Sequence, residues 1–174
     1  MDTPIIKRQK ETPGSILEID IEGQYYVYAQ IMYTLECVFF DFKSINHITD
    51  LTVLKDKPVL FVASVFSYII TRGYWLKVGR LPIREEFHVM PNKFIHHSYG
   101  KVEFEIYNPN TGSITPSTRE ECKNLERAAV WDLNHIIDRI RDHYNGAPCI
   151  WLEGDYELFP ERKPISTIND NQES

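Results

Sequence analysis

The groups best suited to chemistry in this sequence are six histidines, three cysteines and a few adjacent carboxylates. His96-His97, with His88 nearby, is the densest histidine cluster. A zinc centre needs three or four ligands converging at about 2.1 Å on one ion. In an extended segment His96 and His97 point to opposite faces, so they cannot share a metal. His135, Arg139 and His143 recur at spacings of four. A chelating pair sits one helical turn apart, whereas these histidines lie about 12 Å apart along a helix axis. They read as a solvated face. Glu85-Glu86 and Glu120-Glu121 are adjacent carboxylates. Acid–base catalysis needs two carboxyl groups facing one cleft with pKa values driven apart, and adjacency supplies neither. Glu120-Glu121 has a sufficient structural reason, because acids favour the first turn of a helix. No Gly-x-Ser-x-Gly elbow, phosphate loop or dinucleotide fingerprint occurs. The sequence thus predicts no catalytic residue, metal site or cofactor.

Binding needs different groups. Tyr25, Tyr26, Tyr28, Phe39 and Phe40 have the composition of an aromatic cage for a peptide or a cation. Strand alternation turns about half of them inward. Tyr74 and Trp75 are of the type that anchors interfaces, with Trp75 better read as core filler. Tyr74, Glu85 and Glu86 are the candidate partner-binding residues. Cys37, Cys122 and Cys149 are odd in number and widely spaced. They form no disulfide framework and no Cys-x-x-Cys pair, and read as small buried apolar side chains.

Strands must position these groups. Leu17, Ile19 and Ile21 alternate with Glu18, Asp20 and Glu22, the period of a strand with one wet face. Glu22-Gly23 marks a tight turn. Gln24 to Tyr33 follows, with Tyr25, Val27, Ala29 and Ile31 on one face and Tyr26, Tyr28, Gln30 and Met32 on the other. Glu36 to Phe42 continues a three-stranded meander. Residues 45–57 read as a loop. Val59-Leu-Phe-Val-Ala63 reads as a strand covered on both faces. Trp75 to Val78 forms a short strand, and Lys101 to Tyr107 another, before the turn Asn108-Pro-Asn-Thr-Gly112. Ser113 to Thr115 starts a partner strand that Pro116 limits. Ser117 with Glu120 suggests a capping box. Ala128 to Asn145 reads as the longest helix, with Val130, Leu133, Ile137, Ile140 and Tyr144 as its stripe. Ile150-Trp-Leu152 is expected to pack on the core. Strands first and helices last predict an α+β fold: a curved, partly barrel-like antiparallel sheet with a long C-terminal helix packed on it.

Length and charge limit the function. At 174 residues the chain can bury a good core without disulfides or metal. The organisation expected is a flexible segment over 1–12, one domain over 13–152, and an acidic, disordered tail over 153–174. The net charge is −6, and residues 153–174 carry six acids and two bases. No basic cluster exists to displace counterions from nucleic acid, so direct nucleic-acid binding is not expected. The longest apolar run, Val59 to Ile70, is interrupted by two serines and falls short of the ~20 residues of a membrane span. Residues 1–14 lack an apolar signal region, so the expected location is the cytoplasm.

Three segments carry a resemblance. Gly14-x-Ile16-x-x-Ile19-x-x-x-Gly23-x-Tyr25, running on as Tyr-Val-Tyr-Ala-Gln-Ile31, is the first. Pro58-Val-Leu-Phe61 and Gly73-Tyr-Trp75-x-x-x-Gly79-x-x-Pro82 follow it. Over roughly residues 11–95 the chain resembles the Immunity protein 26 family of bacterial polymorphic-toxin systems. The resemblance implies a cytoplasmic protein that binds and neutralises a cognate toxin without catalysis. It carries over no binding residue. The alternatives are a peptide- or ligand-binding β-barrel module using the aromatic sheet face, and an enzyme using His96 or His97 with nearby carboxylates.

Overall fold

The computed structural model describes residues 7–165. The chain divides after Leu133 into two compact units, a division inside the stretch expected to be one domain.

In the first unit, β1 (Ser15–Ile21), β2 (Tyr25–Ile31), β3 (Cys37–Ser44) and β4 (Val59–Val65) form consecutive antiparallel pairs. Glu22 and Gly23 hold φ of 53° and 71°, and the Gln24 N–H donates to the Ile21 carbonyl at 3.0 Å. A turn with both central residues at positive φ matches the twist of the strands it joins. Helix α1 (Tyr68–Thr71) leads to β5 (Leu76–Arg80), which returns to pair with β1. The chain then builds β6 (Lys93–His96), β7 (Phe104–Tyr107), β8 (Ile114–Ser117), α2 (Arg119–Cys122), β9 (Glu126–Arg127) and β10 (Val130–Trp131).

These strands make two mixed sheets, ordered β10-β4-β3-β2-β1-β5 and β8-β7-β6-β9. The expected single antiparallel, barrel-like sheet is therefore corrected. Both β4–β10 and β6–β9 are parallel, and the first sheet stays open because its edges, β5 and β10, do not pair with each other. Pro82, which has no N–H for a ladder, stands just past β5, and the next four strands, β6 to β9, form the second sheet. Pro116 sits on β8, an edge strand, where its missing N–H leaves no ladder bond unmade.

Both faces of the first sheet are filled. On one face Ile16, Tyr28, Val38 and Phe40 pack with Leu54, Met90, Ile83 and Phe87 from the segments after β3 and β5. The Glu18 face, expected to be wet, is thus largely covered. On the other face Phe39 stacks on Phe61 at 4.6 Å and meets Trp75 edge-on at 5.8 Å. At Gly79 a Cβ would lie 2.4 Å from Leu51 Cδ1, so the end of the Leu51 side chain would have to turn aside. A buried ion pair between Glu36, just before β3, and Lys93 on β6 ties the two sheets together.

Residues 7–12 fall in the segment expected to be flexible. There Gln9 is fixed instead. Its Nε2 donates to the Ile70 and Trp75 carbonyls at 2.9 and 2.8 Å, and its Oε1 accepts from the Lys77 N–H at 2.9 Å. Residues 1–6 of that segment lie outside the described residues.

In the second unit, α3 (Leu133–Tyr144) is shorter than the expected helix and buries Ile136, Arg139 and Ile140. Residues 128–129 are irregular and Val130–Trp131 form a strand instead, with Val130 opposite Ser64 in the β4 ladder. The supposed solvated face is also corrected: Arg139 is buried, and the His135 ring stacks on Trp151 at 3.7 Å. Ile150 and Trp151, expected inside, are exposed. The start of the expected disordered tail is helix α4 (Glu153–Leu158) followed by a 3-10 turn at Pro160–Arg162. It is fixed by Phe159, which is fully buried beneath Arg162, and by buried Asp155. Residues 166–174 lie outside the described residues. Among the described residues no helix is long and apolar enough to cross a membrane.

Candidate partner-binding surface

On β6 and just beyond it, His97 Nε2 lies 2.6 Å from Glu105 and His96 Nε2 lies 3.8 Å from Glu103. Each imidazole thus has its own carboxylate within 4 Å. His88 joins neither and sits edge-on to Tyr33 at 5.8 Å. Among the described residues no three His, Cys, Asp or Glu side chains are placed to hold a metal. Glu121 caps α2: its carboxylate accepts from Ser117 Oγ at 2.6 Å and from the Thr118 N–H at 3.2 Å. The Ser117 hydroxyl, then the Thr118 N–H, hold its pKa below the usual carboxylate range. The capping box therefore runs from Thr118 to Glu121, one residue later than Ser117 and Glu120.

A third histidine–carboxylate pair was not singled out by spacing. Glu18 on β1 accepts from Tyr28 Oη at 2.7 Å and lies 2.7 Å from His47 Nδ1. Tyr28 Oη also accepts from the Ile48 N–H at 3.1 Å, and Tyr26 stacks on His47 at 4.3 Å. Burial, reinforced by Glu18, pushes the Tyr28 phenol above its usual range. Glu18 and Tyr28 are direct partners across the β1–β2 ladder, so the hairpin register contained the signal. His47 comes from the long loop and carried none. The network locks that loop onto the sheet.

The aromatic cage does not form as expected. Tyr28, Phe39 and Phe40 are fully buried, because both faces of β2 and β3 are covered. This removes the surface that the ligand-binding module required.

Aromatic exposure gathers elsewhere, past the end of β4. Tyr74 is 52% exposed and meets Tyr68 edge-on at 5.7 Å. Phe66, 46% exposed, stacks on Tyr68 at 6.3 Å, and the Arg72 guanidinium lies over the Tyr68 ring at 5.8 Å. The Tyr68 hydroxyl donates to Asp132. Tyrosine and arginine in one cluster is the composition of interface hot spots.

Glu85 and Glu86 are elsewhere. They form the exposed first turn of a 3-10 helix, Glu85–Phe87, and Glu86 Oε1 lies 3.3 Å from Arg84 Nη1. Arg84 Nη2 donates to the Lys57 carbonyl, just before β4, at 2.5 Å. Tyr74 and the two glutamates therefore flank opposite ends of β4, about 20 Å apart by strand rise. The structure does not join them in one cluster.

Between β5 and that 3-10 helix runs a ridge, Leu81-Pro82-Ile83, with a pocket on each side. One pocket, about 360 Å³, is lined by Pro13, Tyr33 and Arg80 besides the ridge. The other, about 280 Å³, is lined by Phe40, Leu54, Lys55, Arg84 and Gln30. Gln30 is 2% exposed and holds the ridge, donating Nε2 to the Leu81 carbonyl at 2.8 Å and the Gly14 carbonyl at 3.3 Å.

The fold and these surfaces define a small mixed α+β protein of two mixed sheets, with interface-type side chains concentrated outside it. The chain belongs to the Immunity protein 26 family, whose model matches residues 12–105. That span begins before β1 and ends within β7, so it contains the aromatic cluster and the ridge. No curated protein and no solved structure matches the chain.

Proposed function

We propose that this protein is the immunity partner of a bacterial polymorphic toxin. It acts in the cytoplasm by binding and neutralising its cognate toxin, with no chemical step of its own. The observation that carries this reading is the family match over residues 12–105. Exposed Phe66 and Tyr74, grouped about half-buried Tyr68, support it, because docking needs a few central anchors on a rigid scaffold. Tyr74 is the anchor. Glu85 and Glu86 are proposed to extend its footprint toward the other end of β4, a span that a standard interface of about 800 Å² per partner can cover.

Co-expression with each toxin encoded beside this gene tests the reading. The expected result is restored growth and a one-to-one complex on size exclusion with one of them. Tyr74→Ala and Phe66→Ala, both exposed, should fold normally and each weaken that complex by at least ~1 kcal/mol. Absence of rescue and of complex with every neighbouring toxin would overturn it.

A further inference from the structure

We propose that the Leu81-Pro82-Ile83 ridge is a recognition site for an acidic segment of the partner protein carrying two apolar anchors, one for each pocket. This rests on the immunity reading above for the identity of the partner, and the surface itself supplies the chemistry. The two pockets, about 360 and 280 Å³, share the ridge as a common wall. Their apolar lining accepts side chains, and a chain crossing the three-residue ridge presents its anchors about three residues apart, roughly 10 Å by strand rise.

The charge at the rims selects the segment. Arg80 lines one pocket and Lys55 the other, both exposed. Neither has a carboxylate within ion-pair distance among the described residues. Arg84 shares the second rim, and its counter-charge, Glu86, is itself mostly exposed. Lys55 acts on the Asp50 carboxylate only from beyond ion-pair distance. Cations without a close carboxylate beside apolar hollows complement carboxylates flanking apolar side chains, and such complementarity governs partner choice and encounter rate. The second pocket also offers one acceptor. The Nε2 of Gln30 is committed to ridge carbonyls, while its Oε1 accepts from no described donor. An indole N–H is an anchor that would satisfy it. The site is distinct from the aromatic cluster and lies toward the other end of β4.

The test uses a dye-labelled peptide, acetyl-Asp-Leu-Asp-Glu-Trp-Asp-amide, and a control with lysine in place of each acid, read by fluorescence anisotropy on the full chain. The expected result is saturable binding of the acidic peptide alone. Its Kd should rise at least tenfold in Lys55→Glu/Arg80→Glu and stay within twofold in Tyr99→Ala, a change at a side chain 93% exposed and outside both surfaces. Both variants change exposed side chains, and circular dichroism checks their folding. No binding of the acidic peptide, equal binding of the lysine control, or a Kd unmoved by the charge reversal overturns the proposal. Peptide binding without rescue from any toxin would instead count against the immunity reading, and toxin rescue without peptide binding would count against the ridge alone.

Discussion

Glu36 and Lys93 show how much can hang on one buried residue. Both side chains are about 95% buried, and Lys93 Nζ is otherwise 3.5 Å from Ser64 Oγ. Removing one partner of a buried pair leaves an uncompensated charge. Glu36→Ala should therefore cost about 3–5 kcal/mol of unfolding free energy in a urea titration, whereas Glu36→Leu/Lys93→Met should be near neutral or stabilising. Gln30 is a second case. Gln30→Leu would leave the Leu81 carbonyl without its donor and should cost about 1–3 kcal/mol, read in the same titration. Cys37 is a third. Burial pushes its thiol from 9.0 up to about 12. Its folded pKa lies above its unfolded value, so the protonated thiol's contribution is complete below pH 9 and is lost as pH rises toward 12. Stability should fall across that window, and the fall should shrink in Cys37→Ala. Iodoacetamide at pH 8 should leave Cys37 unmodified in the folded chain. The buried state of the cysteines was legible from their number and spacing. The Glu18–Tyr28–His47 network was not, because His47 reaches it from a loop without periodicity.

At the scale of elements, legibility follows the strength of the local pattern. The first four strands were readable because period-two alternation and the Glu22-Gly23 turn agree with each other. Alternation marks the Glu18 face of β1 as wet, and the segments that cover it, 45–58 and 81–92, lack a periodicity that would signal otherwise. Residues 128–132 were drawn into the helix by Val130 and Leu133, whose three-residue spacing fits a helical stripe. Pairing with β4 and β6 overrode that local preference. The capping box slipped by one residue because Ser117-Thr118 and Glu120-Glu121 offer two equivalent solutions in sequence. Two substitutions probe these elements by thermal unfolding. Glu22→Asn should raise Tm, since Glu22 holds φ of 53° and asparagine tolerates that region. Gly79→Ala should lower it only slightly, because the end of the Leu51 side chain must turn aside to admit a Cβ.

For the whole molecule, the α+β class was legible and its arrangement was not. Two sheets emerge where one was expected because pairings such as β5 with β1 and β10 with β4 join segments far apart in sequence, and alternation within one segment carries no record of its neighbour. The ridge pockets were hidden for the same reason: Tyr33, Lys55 and Arg80 meet only once the strands are ordered. If the ridge recruits the partner through Lys55 and Arg80, the association rate should fall steeply as salt rises, while Tyr74→Ala should act mainly on dissociation. Stopped-flow measurement at two ionic strengths separates them. Gln9 has a consequence of another kind. Strand β5 ends the first sheet, and an unpaired strand is a template on which a second copy can add its own. The Gln9 amide takes up the Lys77 N–H and the Trp75 carbonyl, so a side chain stands in for the absent neighbouring backbone. Gln9→Ala should uncover that template and let molecules join flank to flank, visible as mass that climbs with concentration in light scattering. One amide side chain thereby helps keep this sheet from polymerising.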